Sequence, residues 1–233
     1  MRIDKKIKNK LKTWKFNKNV TLNFDNHVKK SVPFYEVSHD ITLQLTNFFL
    51  KEKSVCYDLG SSTGILLNKI YLKYKKEKKL KLIGIDNSKE MVKYAKKKYS
   101  KINFINKSLI NYKFKKSDMI TSLYTMQFVN PKDRQVLFNN IYKSLNWGGA
   151  FVLFEKIRGS DARFQDILNF LYFDFKKKKG LKKNEILNKE ESLRSVLEPY
   201  TINANIDFLK RAGFKDIMPI MQYLNFKGFL AIK

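Results

Sequence analysis

A chain of 233 residues, 43% of them hydrophobic and including 19 Phe and 12 Tyr, can fill the core of one α/β domain, so its net charge of +27 does not signal disorder. Nearly all of that charge is lysine, with arginine only at Arg2, Arg134, Arg158, Arg163, Arg194 and Arg211; this fits the codon usage of an AT-rich genome and does not favour a nucleic-acid partner, which planar arginine forks read best. The single cysteine, Cys56, excludes an internal disulfide and points to the cytoplasm, no apolar run approaches the ~20 residues of a membrane span, and one Cys with two separated His leaves no metal site.

The basic segment Met1 to Lys18 lacks the apolar core of an export signal, and its Trp14 and Phe16 predict docking on the body as part of a helical N-terminal segment over residues 1–50. Ser54 to Asp58 is a short apolar run ending at an acid, followed by the glycine turn Leu59-Gly-Ser-Ser-Thr-Gly64. Ile65, Leu66, Ile70 and Leu72 then continue at helical spacing. Leu80 to Ile85 reads as a second strand closed by Asp86, and Ser88 is an N-cap for the helix carrying Met91, Val92 and Ala95. Strands are expected at Ile102 to Ile105 and Asp118 to Leu123, then a helix from Pro131 through Leu145 that Trp147-Gly-Gly149 stops, then a strand at Ala150 to Phe154.

Alternation of this kind predicts a mostly parallel, seven-stranded sheet covered on both faces. The rhythm breaks at Ser160 to Lys210, a helical stretch expected to lie over the sheet's edge and to set substrate choice. Residues 214–233 close the chain as an antiparallel hairpin. The lysine runs Lys75 to Lys79 and Lys176 to Lys182 read as solvated helix surface.

A strand, a tight glycine turn and a helix place backbone N–H groups and a hollow at the carboxyl end of the sheet, where Gly60 and Gly64 let a ligand approach closely. Asp86, at the tip of the next strand, can present a carboxylate to two ribose hydroxyls. The spacing lacks the Gly-x-Gly-x-x-Gly that hugs a pyrophosphate, which favours a nucleoside without phosphates over NAD. S-adenosylmethionine fits: its amino-acid end by the glycine turn and Asp58, its ribose on Asp86, its adenine against Leu109 and Ile85. Asp58 and Asp86 as plain strand-end caps is the competing reading.

Several motifs carry a specific resemblance: Ser31-Val-Pro-Phe-Tyr35, Tyr57-Asp-Leu-Gly60, Ile83-Gly-Ile-Asp-Asn-Ser88, Met126-Gln-Phe-Val129, Leu145-Asn-Trp-Gly-Gly149, Glu155-Lys156, Asp174-Phe-Lys176, Arg211-Ala-Gly-Phe214 and Asn225-Phe226. From about Phe24 to Lys233 the chain resembles the carboxy-S-adenosyl-L-methionine synthase family, which belongs to the tRNA wobble-uridine modification pathway. The resemblance implies a class I methyltransferase fold, a homodimer, and transfer of a carboxyl carbon from prephenate to the cofactor with release of phenylpyruvate. It implies cofactor contacts from Tyr35, Gly60, Ser61, Ser62, Asp86 and Asn87.

The chain departs from the family's pattern at three positions. Ser108 stands where the family has an acid after the third strand, Leu123 where it has an asparagine at the fourth strand's tip, and Glu190 where its arginine grips a carboxylate. An acid at the last position repels the carboxylate that carboxyl transfer must hold, which favours methyl transfer to a small anionic molecule. Arg194, one turn further along, can share the face of Glu190 and stand in for the arginine; otherwise the two form an exposed helix pair.

Methyl transfer asks mainly for alignment and exclusion of water. Tyr35, Tyr124 and Tyr172 can present faces to the sulfonium, Glu155 can accept a substrate proton, and Lys156 and Arg158 can hold an anion. His39, one turn after Tyr35, is a further candidate base. A third reading, an RNA-binding or accessory protein without chemistry, lacks the Asp/Asn-Pro-Pro-aromatic signature of base methylation: Ser122-Leu-Tyr-Thr125 stands there.

Overall fold

The computed structural model describes residues 18–233, so the expected docking of Trp14 and Phe16 lies outside the described residues. Two helices, α1 (Lys18–Ser31) and α2 (Tyr35–Phe49), precede the sheet. Alternating strands and helices follow: β1 (Val55–Leu59), α3 (Ile65–Tyr74), β2 (Lys81–Asp86), α4 (Lys89–Lys98), β3 (Asn103–Asn106), β4 (Ser117–Leu123), α5 (Pro131–Ser144) and β5 (Leu145–Lys156). Helices α6 (Ala162–Lys178), α7 (Lys183–Leu193) and α8 (Ile202–Ala212) lead to β6 (Asp216–Tyr223) and β7 (Phe226–Ile232).

The sheet order is β3-β2-β1-β4-β5-β7-β6, with β1 to β5 parallel and β7 antiparallel to both β5 and β6. The chain winds outward from β1 through β2 to β3, then returns to the other side of β1 for β4. The carboxyl ends of β1 and β4 therefore flank a topological switch point, where an open α/β sheet leaves a crevice.

Because both faces are covered, the central strands bury apolar side chains on both: Cys56, Tyr57, Leu59, Met119 and Ile120 are all fully buried. Leu66, Leu67 and Ile70 of α3 and Val92 and Ala95 of α4 pack on one face. Leu137, Phe138 and Ile141 of α5 and Phe208 and Leu209 of α8 pack on the other, with Phe138 stacked on Phe208 at 5.4 Å between centroids. Ser88 caps α4 through the Met91 amide, as the sequence predicts.

Two expectations need correction. Strand β5 begins at Leu145, five residues earlier than expected, and Trp147-Gly148-Gly149 lies within it. Leu145 pairs with Ser117 and Ala150 with Met119, so the intervening residues bulge out of register, with Gly148 at φ 74° and its amide donating to the carbonyl of Lys233. The helical stretch after Ser160 is not one insertion over an edge. Helix α8 belongs to the sheet's own covering layer, and α6 and α7 cover the carboxyl ends of the strands.

Candidate active site

A cavity of about 560 Å³ opens at the switch point, a size suited to a small molecule. Its floor comes from the strand tips and the glycine turn, and its cover from α1, α2, α6 and α7. Asp58, Gly60, Ser61, Ser62, Asp86, Asn87, Ser108, Leu109 and Leu123 all line it, together with Tyr35, Tyr124, Tyr172 and His39.

The turn is held by its own backbone. Gly60 and Ser61 donate to the Ile85 carbonyl at 2.8 and 3.1 Å, which ties the tip of β1 to the tip of β2. Gly60 sits at φ 71°, in the left-handed region that favours glycine, and a Cβ there would come within 2.2 Å of Thr125 Oγ1. Gly64 is different from the expectation. It does not line the cavity; it caps α3 at φ 81°, and an added Cβ would strike the Phe104 ring at 2.5 Å. Helix–strand packing and backbone conformation require that glycine.

Asp86 accepts from the Ser62 amide at 2.9 Å and the Ser88 amide at 2.8 Å, which holds its side chain beside the turn. Burial raises its pKa while those two amides oppose the rise. Asp58 accepts from the Thr121 hydroxyl at 2.7 Å. Burial pushes Asp58 up to about 7, the Thr121 bond opposes this, and the charge of Asp86 adds to it. The two carboxylates thus share one cavity, and the hydroxyl of Ser61 beside them is buried without a partner. A ligand with an ammonium group and a vicinal diol supplies what these groups lack, so the residues fit S-adenosylmethionine.

The catalytic candidates separate into two groups. Tyr35 and Lys156 line the cavity; Glu155, Arg158 and Arg194 do not. Glu155 is buried, with its two oxygens accepting from the amides of Met126 at 2.9 Å and Gln127 at 2.7 Å. Burial pushes it up to about 8, against those bonds and the nearby Arg134 guanidinium. It anchors the single helical turn Met126–Phe128 and cannot be the substrate's base from there. Arg158 and Arg194 are exposed, so Arg194 does not take the place of the family's arginine.

Glu190 does line the cavity, half-exposed, and its Oε1 lies 2.6 Å from Lys176 Nζ. Lys176 is only 4% exposed, a correction to its reading as solvated surface. Its ammonium stands 4.2 Å from the centroid of the Tyr172 ring, and Lys156 stands 4.7 Å from the same centroid. Burial lowers Lys156 to about 8, with the charge of Lys176 adding to the effect. Lys189, on α7, donates to His27 Nε2 and to Ser31 Oγ, which pins α7 to α1. His39 is buried against Tyr35, 4.5 Å between ring centroids, and burial lowers it to about 4, so it is neutral.

The lysines 176 and 189 escape a sequence reading because each sits among exposed charges. One signal was available for Lys176: Tyr172, Phe175 and Lys176 fall at i, i+3 and i+4, one face of α6. Among the described residues no group of acids, histidines and cysteine could hold a metal ion, and no helix is long and apolar enough to cross a membrane.

Comparison with known proteins agrees with this geometry. Residues 56–149 match a methyltransferase domain family. The human N-acetylserotonin methyltransferase in complex with SAM superposes with a TM-score of 0.63 at 18% identity, over 93% of this chain and 56% of that one. A putative S-adenosyl-L-methionine-dependent methyltransferase from Methanococcus maripaludis gives 0.60 at 18% identity over 95% of both chains. These likenesses establish the class I methyltransferase fold. In sequence, the chain is 40% identical to the carboxy-S-adenosyl-L-methionine synthase of Staphylococcus epidermidis over 94% of this chain and 97% of that one. It is 38% identical to that of Nautilia profundicola over 95% of both. With such identity over about 95% of its length, the chain belongs to the carboxy-S-adenosyl-L-methionine synthase family of S-adenosylmethionine-dependent transferases.

Proposed function

We propose that this S-adenosylmethionine-dependent transferase makes carboxy-S-adenosyl-L-methionine, the product named in its relatives, with prephenate as the carboxyl donor that the resemblance implies, in the cytoplasm. The observation that carries this reading is the pairing of Glu190 with the buried Lys176. An acid at the family's arginine position argues against carboxylate binding only while its charge is uncompensated. Here Lys176 compensates it, and Lys156 remains as a second cation with no ion pair among the described residues.

Bound S-adenosylmethionine would supply a methyl carbon activated by the adjacent sulfonium. The chain's own residues do the rest. Asp86 orients the ribose, Asp58 and Ser61 receive the amino-acid end, and Leu109 flanks the adenine. Tyr35, Tyr124 and Tyr172 surround the sulfonium region with aromatic faces, and burial raises the pKa of each hydroxyl, so all three stay neutral. The cover of α1, α6 and α7 excludes water.

Methyl transfer to a small anionic acceptor is the second reading, favoured by Glu190 itself, since the family's arginine is missing. Incubating the protein with S-adenosylmethionine and prephenate, followed by mass spectrometry of the nucleoside, separates the two. Carboxyl transfer replaces one methyl hydrogen of S-adenosylmethionine with a carboxyl group, a net gain of CO₂; methyl transfer releases S-adenosylhomocysteine. The homodimer implied by the family forms part of the proposal, with the exposed Phe164, Ile167, Phe170 and Leu171 of α6 supplying an apolar face.

A further inference from the structure

Three lysines, Lys156, Lys176 and Lys189, and two acids, Glu185 and Glu190, line the outer half of the cavity. Two of the ammonium groups, Lys156 and Lys176, stand over one tyrosine ring, and Glu190 forms an ion pair with Lys176. The ring's negative face partly stabilises both cations but supplies no full charge. Lys176 is buried on α6, and Lys156 lines the cavity at the end of β5, a position fixed by its pairing with Phe226. Glu190 differs from both. It is carried by α7, its side chain is 51% exposed, and its Oε1 contacts Lys176. The cations are therefore fixed by the sheet and α6, while their counter-ion reaches in from the cover on a solvated side chain.

We propose that Lys156 and Lys176, over the Tyr172 ring, form a carboxylate subsite, and that Glu190 is an internal carboxylate which an incoming acid displaces from Lys176. This rests on the reading that the substrate is a carboxylic acid, and it locates where one of its carboxylates lands. The displacement is an ion exchange with no bond made or broken: Lys176 changes one carboxylate partner for another, and Glu190 turns into the water that already reaches half of it. A buried ammonium gains a charge-assisted pair whichever carboxylate it holds, so the acid binds with the surplus contributed by Lys156. Burial, with the neighbouring Lys176 charge adding to it, lowers the pKa of Lys156 against the attraction of Glu190.

The test is calorimetry on the full chain saturated with S-adenosylhomocysteine, which prevents turnover, with prephenate as titrant. Glu190→Gln removes the competing charge and keeps the side chain's shape; prephenate affinity is expected to rise about tenfold. Lys156→Met should lower it at least about tenfold, and S-adenosylhomocysteine affinity should stay near wild type in both, while Tm falls in Glu190→Gln because the buried Lys176 loses its partner. Unchanged or weaker prephenate binding in Glu190→Gln overturns the displacement. Unchanged binding in Lys156→Met overturns the subsite, as does the absence of prephenate binding in every variant when the nucleoside still binds. If prephenate binds as expected but no carboxylated cofactor forms with S-adenosylmethionine, the subsite stands and the carboxyl-transfer reading falls.

Discussion

Asp86 holds the amide of Ser62 at 2.9 Å, so the carboxylate at the tip of β2 is also the clasp of the turn that follows β1. One side chain thus shapes the cavity and would face the ribose. Asp86→Ala leaves the Ser62 and Ser88 amides without these acceptors, which costs about 1–3 kcal/mol of stability. It also removes the acceptor for two hydroxyls. S-adenosylmethionine affinity should fall by about 100-fold in calorimetry, together with Tm. A variant that binds the nucleoside as tightly as wild type would show that the ribose lies elsewhere.

The two glycines of the turn should respond differently. Gly60 lines the cavity and Gly64 does not, though both have positive φ and no room for a Cβ. Each alanine substitution costs about 1–2 kcal/mol for the left-handed backbone alone, with the clash on Thr125 or Phe104 added. Thermal denaturation should show both variants destabilised. The folded fraction of Gly64→Ala should bind S-adenosylmethionine with near wild-type affinity, whereas Gly60→Ala should lose affinity as the turn shifts off Thr125.

The pH dependence of stability should carry a signature of Asp58. Burial raises its folded pKa to about 7, above its value in the unfolded chain, so the folded state holds a proton that the unfolded state has released between about pH 4 and 7. Its contribution to stability is present at acid pH and is lost as pH rises through about 7. Glu155, raised to about 8, acts in the same direction and persists in the comparison. Subtracting the Tm profile of Asp58→Asn from that of wild type isolates Asp58: the variant should gain on wild type from pH 5 to 8. A constant difference would show that Asp58 is ionised throughout.

The nucleoside half of the site is legible in the sequence because its parts are local. Strand β1, the turn, α3 and β2 follow one another, and Asp58, Gly60, Ser62 and Asp86 meet through neighbouring parallel strands with a register fixed by burial on both faces. The outer half is not local. Lys189 reaches His27 across 162 positions, and Lys176 reaches Glu190 between two helices whose packing no periodicity specifies. The shift of β5 to Leu145 has a similar origin, because Trp147-Gly148-Gly149 looks like a helix stop and is held in the sheet by Lys233, at the far end of the chain. Charge type alone misplaced Arg158 and Arg194, since an arginine near a strand tip or helix end is usually solvated and here is.

Glu155 offers the sharpest distinction between a strand-tip acid that reacts and one that supports. Both of its oxygens accept backbone amides, from Met126 and Gln127, and the Gln127 side-chain oxygen in turn accepts the Lys156 amide at 2.9 Å. Arg134 closes the same network through the carbonyls of Gln127 and Val129. Glu155→Gln places an amide NH₂ opposite one of two N–H donors, leaving a buried donor unpaired at a cost of about 1–3 kcal/mol. Tm should drop accordingly. Below the transition the folded enzyme should retain kcat within a few-fold, because Glu155 does not line the cavity. Loss of a general base would instead lower kcat by about 100-fold to 10,000-fold with little change in Tm. Measuring both quantities on the one variant decides between them: a large fall in kcat at unchanged Tm would return Glu155 to the reacting groups.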